Sequence, residues 1–399
     1  MRRFLLILAA WLALVPAVAQ KPRPDAFPPM EALLATKALT MATTVEEMAE
    51  WDRYPTYEVY VAMMRGYVDS FPSLCRLDTI GTSVQGRLIL ALAITGSADN
   101  DLVRPEMFYS STMHGDEITG FYLMLRLCDT LLRSYGTSEA LTRLLDGTRI
   151  YINPLSNPDG TYHGGNSTVG RSWRYNANRV DLNRNYPDPF GTEPLNALQP
   201  ENEAMIRYVE QHHFLLSANL HGGSEVMNYP WDSFTSRERL NEHNEWWKAV
   251  CKRFVDTCRR VDPARFRDVN SQGYINGGDW YVISNGRQDY FNNCGIRELT
   301  MELSSTKSLP VDSLNHYWRC QSQALINYID EVHGIDTATP PVAAPASAAA
   351  PRPRVYPNPT RGMVTVETAH GRYTVDLSHR PAGVYIVPVE GVRVKIVKL

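Results

Sequence analysis

The stretch EMFYSSTMHGDEITG, residues 106–120, decides the fold. It opens as an apolar run, closes at His114 and passes into a long apolar-periodic segment, which predicts a strand feeding a helix that opens near Glu117. A second stretch, FLLSANLHGG at 214–223, has the same form, with His221 closing the strand ahead of two glycines. In open α/β sheets the reactive side chains gather beyond the carboxyl ends of the strands. Two imidazoles and one carboxylate from adjacent strand ends can surround a single divalent ion. Three protein ligands leave a fourth position open, which is the catalytic rather than the structural form of a zinc site. The chain contains no HExxH, so the helical zincin arrangement is excluded. The plainer alternative is a capping glutamate beside two surface histidines.

Around these two stretches, segments of strand and helix character alternate from about Tyr54 to Val332. Strands are predicted over 75–83, 88–95, 106–113, 148–153, 214–220 and 298–303. Helices are predicted over 57–70, 117–135, 201–212, 237–259 and 312–332. Runs such as LILALAI (88–94) are apolar on both faces, which suits a sheet covered by helices on each side. With 44% apolar and 21% charged residues among 399, the chain can bury a large core, which excludes general disorder. A net charge of −3 offers no basic field for nucleic acid. No apolar run reaches the roughly 20 residues a membrane span needs.

Other motifs cluster on the loops of this middle region. NPDG (157–160) is a turn after a strand, Trp173-Arg174 follows, and DLNRNYPD (181–188) places Asn183-Arg184 in a loop. An adjacent Asn and Arg with nothing apolar to cover suit a carboxylate clamp, because guanidinium forms a planar fork to two oxygens; a surface turn is the alternative. Glu302 sits between Met301 and Leu303 in a predicted core strand, where an unpaired carboxylate is costly. A buried salt bridge or a catalytic role would each explain it.

GTSVQGR, MHGDE, NPDG, DLNRNYPD, NLHGGSEVMNYPWD, the WY…GRQDY stretch and LTMELSSTKSLP occur in one order over roughly residues 54–310. Together they resemble the M14 metallocarboxypeptidases, particularly the regulatory (N/E-type) subfamily. The resemblance implies an α/β fold with a mixed, mostly parallel eight-stranded twisted sheet covered by helices on both faces, and one zinc ion per catalytic domain. It assigns His114, Glu117 and His221 to the metal, Arg174 to the scissile carbonyl, Asn183 and Arg184 to the substrate's terminal carboxylate, Tyr281 to closing over it, and Glu302 to general base. Asp232, eleven residues beyond His221, matches the acidic pocket floor of Lys/Arg-specific members, and Gln288 matches the same subgroup. The implied activity is hydrolysis of the C-terminal peptide bond of peptides or proteins, with release of Lys or Arg. Asp116 stands where the digestive subfamily usually has Arg. Two further departures are Asn285-Gly286 in place of two glycines and Arg287 in place of a common Met, a charge expected near the pocket rim. Rival functions are a peptidoglycan-stem peptidase or an N-acyl amino acid deacylase on the same scaffold, and a non-catalytic surface binding protein.

The two ends carry addresses. Arg2-Arg3, an apolar run from Phe4 to Ala19 and the small-x-small tripeptide Ala17-Val18-Ala19 form an export signal over 1–19. Residues 20–53 are then an N-terminal extension or propeptide, 54–335 the catalytic domain and 336–353 an Ala/Pro linker. Residues 354–399 alternate apolar positions with period two between Gly and Pro turns, predicting a small all-β module. That module is +4, from seven Lys/Arg and three Asp/Glu, so the remainder is −7. Its YPNPTRG, DLS…PAGVY and KIVK resemble the sorting domain of the type IX (Por) secretion system. This implies outer-membrane secretion machinery as a partner and a secreted or cell-surface location in a Gram-negative bacterium, reached through the periplasm. Export permits disulfides among the six cysteines, with Cys294 to Cys251 or Cys258 the first pairing expected and Cys128 a buried thiol.

Overall fold

The computed structural model describes residues 41–96, 104–335, 354–356, 362–368, 371–389 and 392–398. The export signal and the linker lie outside the described residues. Two short strands, β1 (Met41–Ala42) and β2 (Tyr54–Pro55), pair in parallel ahead of the first helix, Tyr57–Ser70. Thr56 caps that helix by accepting the Val59 N–H, which satisfies one of its orphan donors.

The body is an eight-stranded sheet built from β3 (Cys75–Thr82), β4 (Leu88–Ile94), β5 (Glu106–Ser111), β6 (Arg149–Asn153), β7 (Phe214–His221), β8 (Ser224–Tyr229), β9 (Tyr274–Asn276) and β10 (Arg297–Ser304). Their spatial order is β3-β4-β6-β5-β7-β10-β8-β9. The four central strands β6, β5, β7 and β10 run parallel, and β4 and β8 flank them antiparallel. This is the mixed, mostly parallel sheet expected. Strand alternation sorts the core into two layers. In β4, Leu90, Leu92 and Ile94 pack on one face, while Ile89, Ala91 and Ala93 pack on the other. The first face is covered by the helices Tyr57–Ser70, Thr119–Ser134, Asn244–Val261 and Val311–Asp330, and the second by Pro200–Glu210 and Arg287–Asn293.

Three differences from the sequence expectations have physical causes. β9 is only three residues long, β8 carries polar residues at 224, 225 and 228, and the Gly222-Gly223 turn, with Gly223 at φ 112°, hides the reversal into β8. The helix expected from residue 237 begins only at Asn244. Ahead of it the chain is a loop in which Arg239 lies over the rings of Phe190 (4.7 Å), Trp231 (5.4 Å) and Phe234 (5.4 Å), contacts made across the fold that a helical pattern does not reveal. All six cysteines are buried and unbridged. The Cys294 pairing fails because Cys251 and Cys258 belong to the core layer on one face of the sheet and Cys294 to the layer on the other.

Arg287 corrects a further expectation. It does not stand at a pocket rim but is buried, its guanidinium 2.9 Å from the Glu298 carboxylate of β10 and 4.4 Å from the Phe291 ring. At the C-terminal end, β11 (Arg354–Tyr356), β12 (Met363–Thr368) and β13 (Gly371–Asp376) form an antiparallel sheet, and β14 (Gly383–Val389) with β15 (Val392–Lys398) a hairpin. Val364, Val366, Leu377 and Ile396 share a small core, so this module is all-β.

Removing one member of a buried ion pair strands the other charge in a poorly solvated site. Arg287→Ala is expected to lower stability by about 3–5 kcal/mol in urea unfolding, while the double variant Arg287→Met/Glu298→Gln recovers most of the loss. Equal losses in the single and double variants would show that packing, not the charge pair, carries the effect.

Candidate metal centre and substrate cleft

The site is built at the carboxyl ends of β5, β7 and β10. Ser111 of β5 pairs with Leu220 of β7, and Glu302 of β10 pairs with His221, so the register brings these strand ends level. After β5 the chain leaves the sheet through Thr112, which holds a left-handed φ of 63°, and turns over His114-Gly115-Asp116-Glu117 before the helix starts at Thr119. The NPDG turn braces this loop. Asn157 donates from Nδ2 to the Met113 carbonyl (3.1 Å), and Thr161 donates to the Gly115 carbonyl (2.9 Å). A side chain at Gly115 would meet the Gly160 backbone at 2.3 Å, so only glycine allows the two turns to approach so closely. Asp159 in turn accepts from Ser83 and the Gln85 N–H, both at 2.8 Å, and pairs with Arg87 at 2.6 Å. GTSVQGR and NPDG are therefore one support.

On this frame His114, Glu117 and His221 converge, with one donor atom from each lying within 4.8 Å of the others. Oε2 of Glu117 is 2.9 Å from His114 Nδ1 and 2.7 Å from His221 Nδ1, and the two Nδ1 atoms are 3.0 Å apart. All three residues are buried. Burial opposes ionisation of Glu117, yet the two histidines hold it well below the usual carboxylate range. Burial pushes His221 down to about 4, so its imidazole is neutral, the form that can donate a lone pair to a metal. Two facing ring nitrogens beside one carboxylate oxygen cannot all be satisfied by protons, whereas a single cation accepts all three. The donor set fits a zinc ion.

A second layer holds this cluster. His114 Nε2 is 3.1 Å from Asp181 Oδ1, and Asp181 also binds Arg174 at 2.9 Å. Asp181 is kept strongly ionised because His114 and Arg174 outweigh its burial. Lys307 lies 3.0 Å from Asp116 and 3.4 Å from Oε1 of Glu117, so a cation faces the oxygen turned away from the histidines. Neither Asp181 nor Lys307 stands out by sequence. Asp181 lies in DLNRNYPD, two residues before the Asn183-Arg184 pair, and Lys307 lies in the STKSLP segment that follows β10.

The remaining expected residues gather along the adjoining cleft. Arg174 reaches both His114 Nδ1 (3.2 Å) and Glu117 Oε1 (3.6 Å). Asn183 accepts the Arg287 N–H at Oδ1 (3.0 Å), which leaves its Nδ2 as the donor end, and Arg184 donates to the Asn183 carbonyl at 2.7 Å. Asn285 takes the left-handed φ of 60° at which a glycine was expected, and its Nδ2 is tied to the Tyr186 and Thr192 carbonyls. Tyr281 is the most exposed of the set at 36%, and burial of its hydroxyl end together with the Glu302 carboxylate raises its pKa.

Glu302 is buried with Oε2 lacking any hydrogen-bond partner, and the buried salt bridge considered for it is not found among the described residues. Burial and the nearby Glu117 charge push its pKa well above the carboxylate range. Asp232 is also buried, and burial with the Asp289 carboxylate raises it as well. Gln288 accepts the Thr300 N–H at Oε1 (2.6 Å), which fixes its amide so that Nε2 donates to Asp232 Oδ1 at 2.9 Å; Asn228 donates to the same oxygen at 3.2 Å. A methyl at Gly277 would lie 1.9 Å from Asp232 Oδ1, so only glycine allows the chain to pass this close to that carboxylate.

A family model described as zinc carboxypeptidase, of the M14 peptidases, matches residues 60–324. The catalytic chain of carboxypeptidase N from Rattus norvegicus is 31% identical over 345 residues, covering 78% of this chain and 73% of that one. Carboxypeptidase D from Drosophila melanogaster is 33% identical over 303 residues, covering 68% of this chain and 21% of that protein, so the chain spans about a fifth of its length. Among solved structures, carboxypeptidase A from Helicoverpa armigera superposes with a TM-score of 0.63 at 20% identity, covering 79% of each chain, which speaks for the fold. On the match across its central 265 residues, from 60 to 324, the chain belongs to the M14 family of zinc carboxypeptidases.

Proposed function

We propose that the chain removes a C-terminal Lys or Arg from peptides, with His114, Glu117 and His221 as its zinc ligands and Glu302 as its general base. The observation that carries this reading is the convergence of two imidazole nitrogens and one carboxylate oxygen beside a buried Glu302 whose Oε2 has no hydrogen-bond partner. When bound, zinc supplies Lewis-acid polarisation of the carbonyl and lowers the pKa of water toward about 7. Glu302, in its ionised form, takes a proton from the attacking water and returns it to the leaving amine. Arg174 neutralises charge developing on the scissile carbonyl oxygen. Asn183 Nδ2 and the Arg184 guanidinium bind the terminal carboxylate, a charge that an internal peptide bond does not present. Tyr281, the exposed member, closes over the bound residue.

Asp232 is the basis for the basic preference. Its carboxylate is positioned by Gln288 and Asn228, and Gly277 carries no side chain that would displace it, which suits pairing with a substrate guanidinium or ammonium. Against Phe or Leu the same buried carboxylate would be desolvated without a counter-charge. Arg287 does not oppose this, since its charge is matched by Glu298. We also read residues 1–19 as an export signal, 20–53 as an extension or propeptide, 336–353 as a linker and 354–399 as a type IX sorting module. The protein would act outside the cell or at its surface.

A panel of peptides differing only in the last residue tests the reading. Release of Arg and Lys, abolished by chelator, is expected; equal release of Phe would refute the pocket assignment. Glu302→Gln should lose roughly 10²-fold or more in kcat while retaining metal by elemental analysis. Asp181→Asn should weaken metal binding by about 10–100-fold in chelator competition, because the partner that orients His114 is altered. The pH dependence has a definite sign. Asp232 has a raised pKa in the empty pocket, and a cationic side chain favours its ionised form, so lowering the pH opposes binding of Arg. The ratio of kcat/KM for Arg-ended over Phe-ended peptides should therefore rise with pH, and Asp232→Asn should flatten it.

A further inference from the structure

A second cluster of metal-binding groups lies away from the cleft, where the helix Asn244–Val261 ends against the helix Val311–Asp330. Asp262 follows the first helix, and His316 and Cys320 sit one turn apart on the second, which places them on one face. The His316 Nε2 atom is 3.0 Å from Asp262 Oδ2 and 3.5 Å from the Cys320 sulfur, and the three donor atoms all lie within 4.8 Å of one another. We propose that Asp262, His316 and Cys320 form a second divalent metal site, of the borderline-soft class that zinc represents, stapling these two helices.

The geometry and the charges agree with this assignment. Ligand lengths of about 2.0–2.3 Å in a tetrahedral site put donors roughly 3.3–3.8 Å apart, so the observed separations need shifts of only a few tenths of an ångström for the pairs given. One ring nitrogen faces both a carboxylate and a thiol; it can donate to the first or accept from the second, not both, whereas a cation engages all three groups. Thiolate, imidazole and carboxylate together match zinc rather than calcium or magnesium, which take oxygen ligands. Cys320 is 1% exposed, while the side chains of His316 and Asp262 keep 40% and 22% of their surface, so water can complete the fourth position. Asp262 is already oriented, with Oδ1 accepting the Ala264 N–H at 3.0 Å. Arg265, 3.1 Å from Asp262, would repel a cation alone, but its Nη1 is matched by the buried Glu225 at 2.7 Å. Burial raises the Cys320 thiol pKa, so coordination must displace its proton, which passes to the solvent.

Cobalt provides a test that the catalytic centre cannot mimic, because His114, Glu117 and His221 contain no sulfur. Apo protein titrated with Co²⁺ should develop a near-ultraviolet thiolate-to-cobalt charge-transfer band, and wild-type protein should take up two zinc ions per chain. Cys320→Ser and His316→Ala should each lose the band and one zinc ion, with peptide hydrolysis at saturating zinc unchanged. His316 is partly exposed, so its replacement tests the site even if the buried Cys320→Ser fails to fold. A wild-type titration without the band, uptake of a single zinc ion, or a band that survives in His316→Ala at full strength would overturn the proposal.

Discussion

Everything in the site depends on the register of three adjacent parallel strands, β5, β7 and β10. Glu302 lies beside His221, and Ser111 beside Leu220, so the His114–Glu117 turn, a histidine and a buried glutamate arrive level at one edge. A slip of one residue would send each side chain to the other face of the sheet. The register is held by the two-layer core, since β4, β5 and β6 each send alternate residues into different apolar clusters. The chemistry is thus positioned by core packing on both faces and not by the loops alone.

Within that frame, environment assigns different states to carboxylates of the same kind. Glu117 is buried but flanked by two imidazoles, which favour its charged form. Glu302 is buried beside a like charge and lacks a partner, which favours the proton. Asp232 is buried next to Asp289 and likewise resists ionisation. Acids pushed apart in this way suit the three roles proposed for them, of ligand, base and specificity group. The supports are equally differentiated, with Asp181 holding His114 from behind and Lys307 facing the far oxygen of Glu117.

Much of this was legible in the sequence. LILALAI announced a doubly covered strand, and the two His-closed strands announced the His114, Glu117 and His221 cluster. What remained hidden is long-range by nature. β8 and β9 exist because the neighbouring strand offers them partners, not because their residues favour strand. Arg239 lies over rings contributed by residues 190, 231 and 234, contacts that a helical pattern does not reveal. Arg287 read as a rim charge because Glu298, which neutralises it, lies across a turn on β10. The cysteine pairing misled because spacing along the chain says nothing about which side of a sheet each thiol faces.

The central claim is that a metal-dependent site recognises a free peptide terminus. One measurement tests it most directly: the same Arg-ended peptide offered with a free carboxylate and with an amidated end, each with and without chelator. The account predicts release of Arg from the free peptide alone, and none from either once the metal is removed. Equal cleavage of both peptides, internal cleavage, or activity that survives chelation would contradict it.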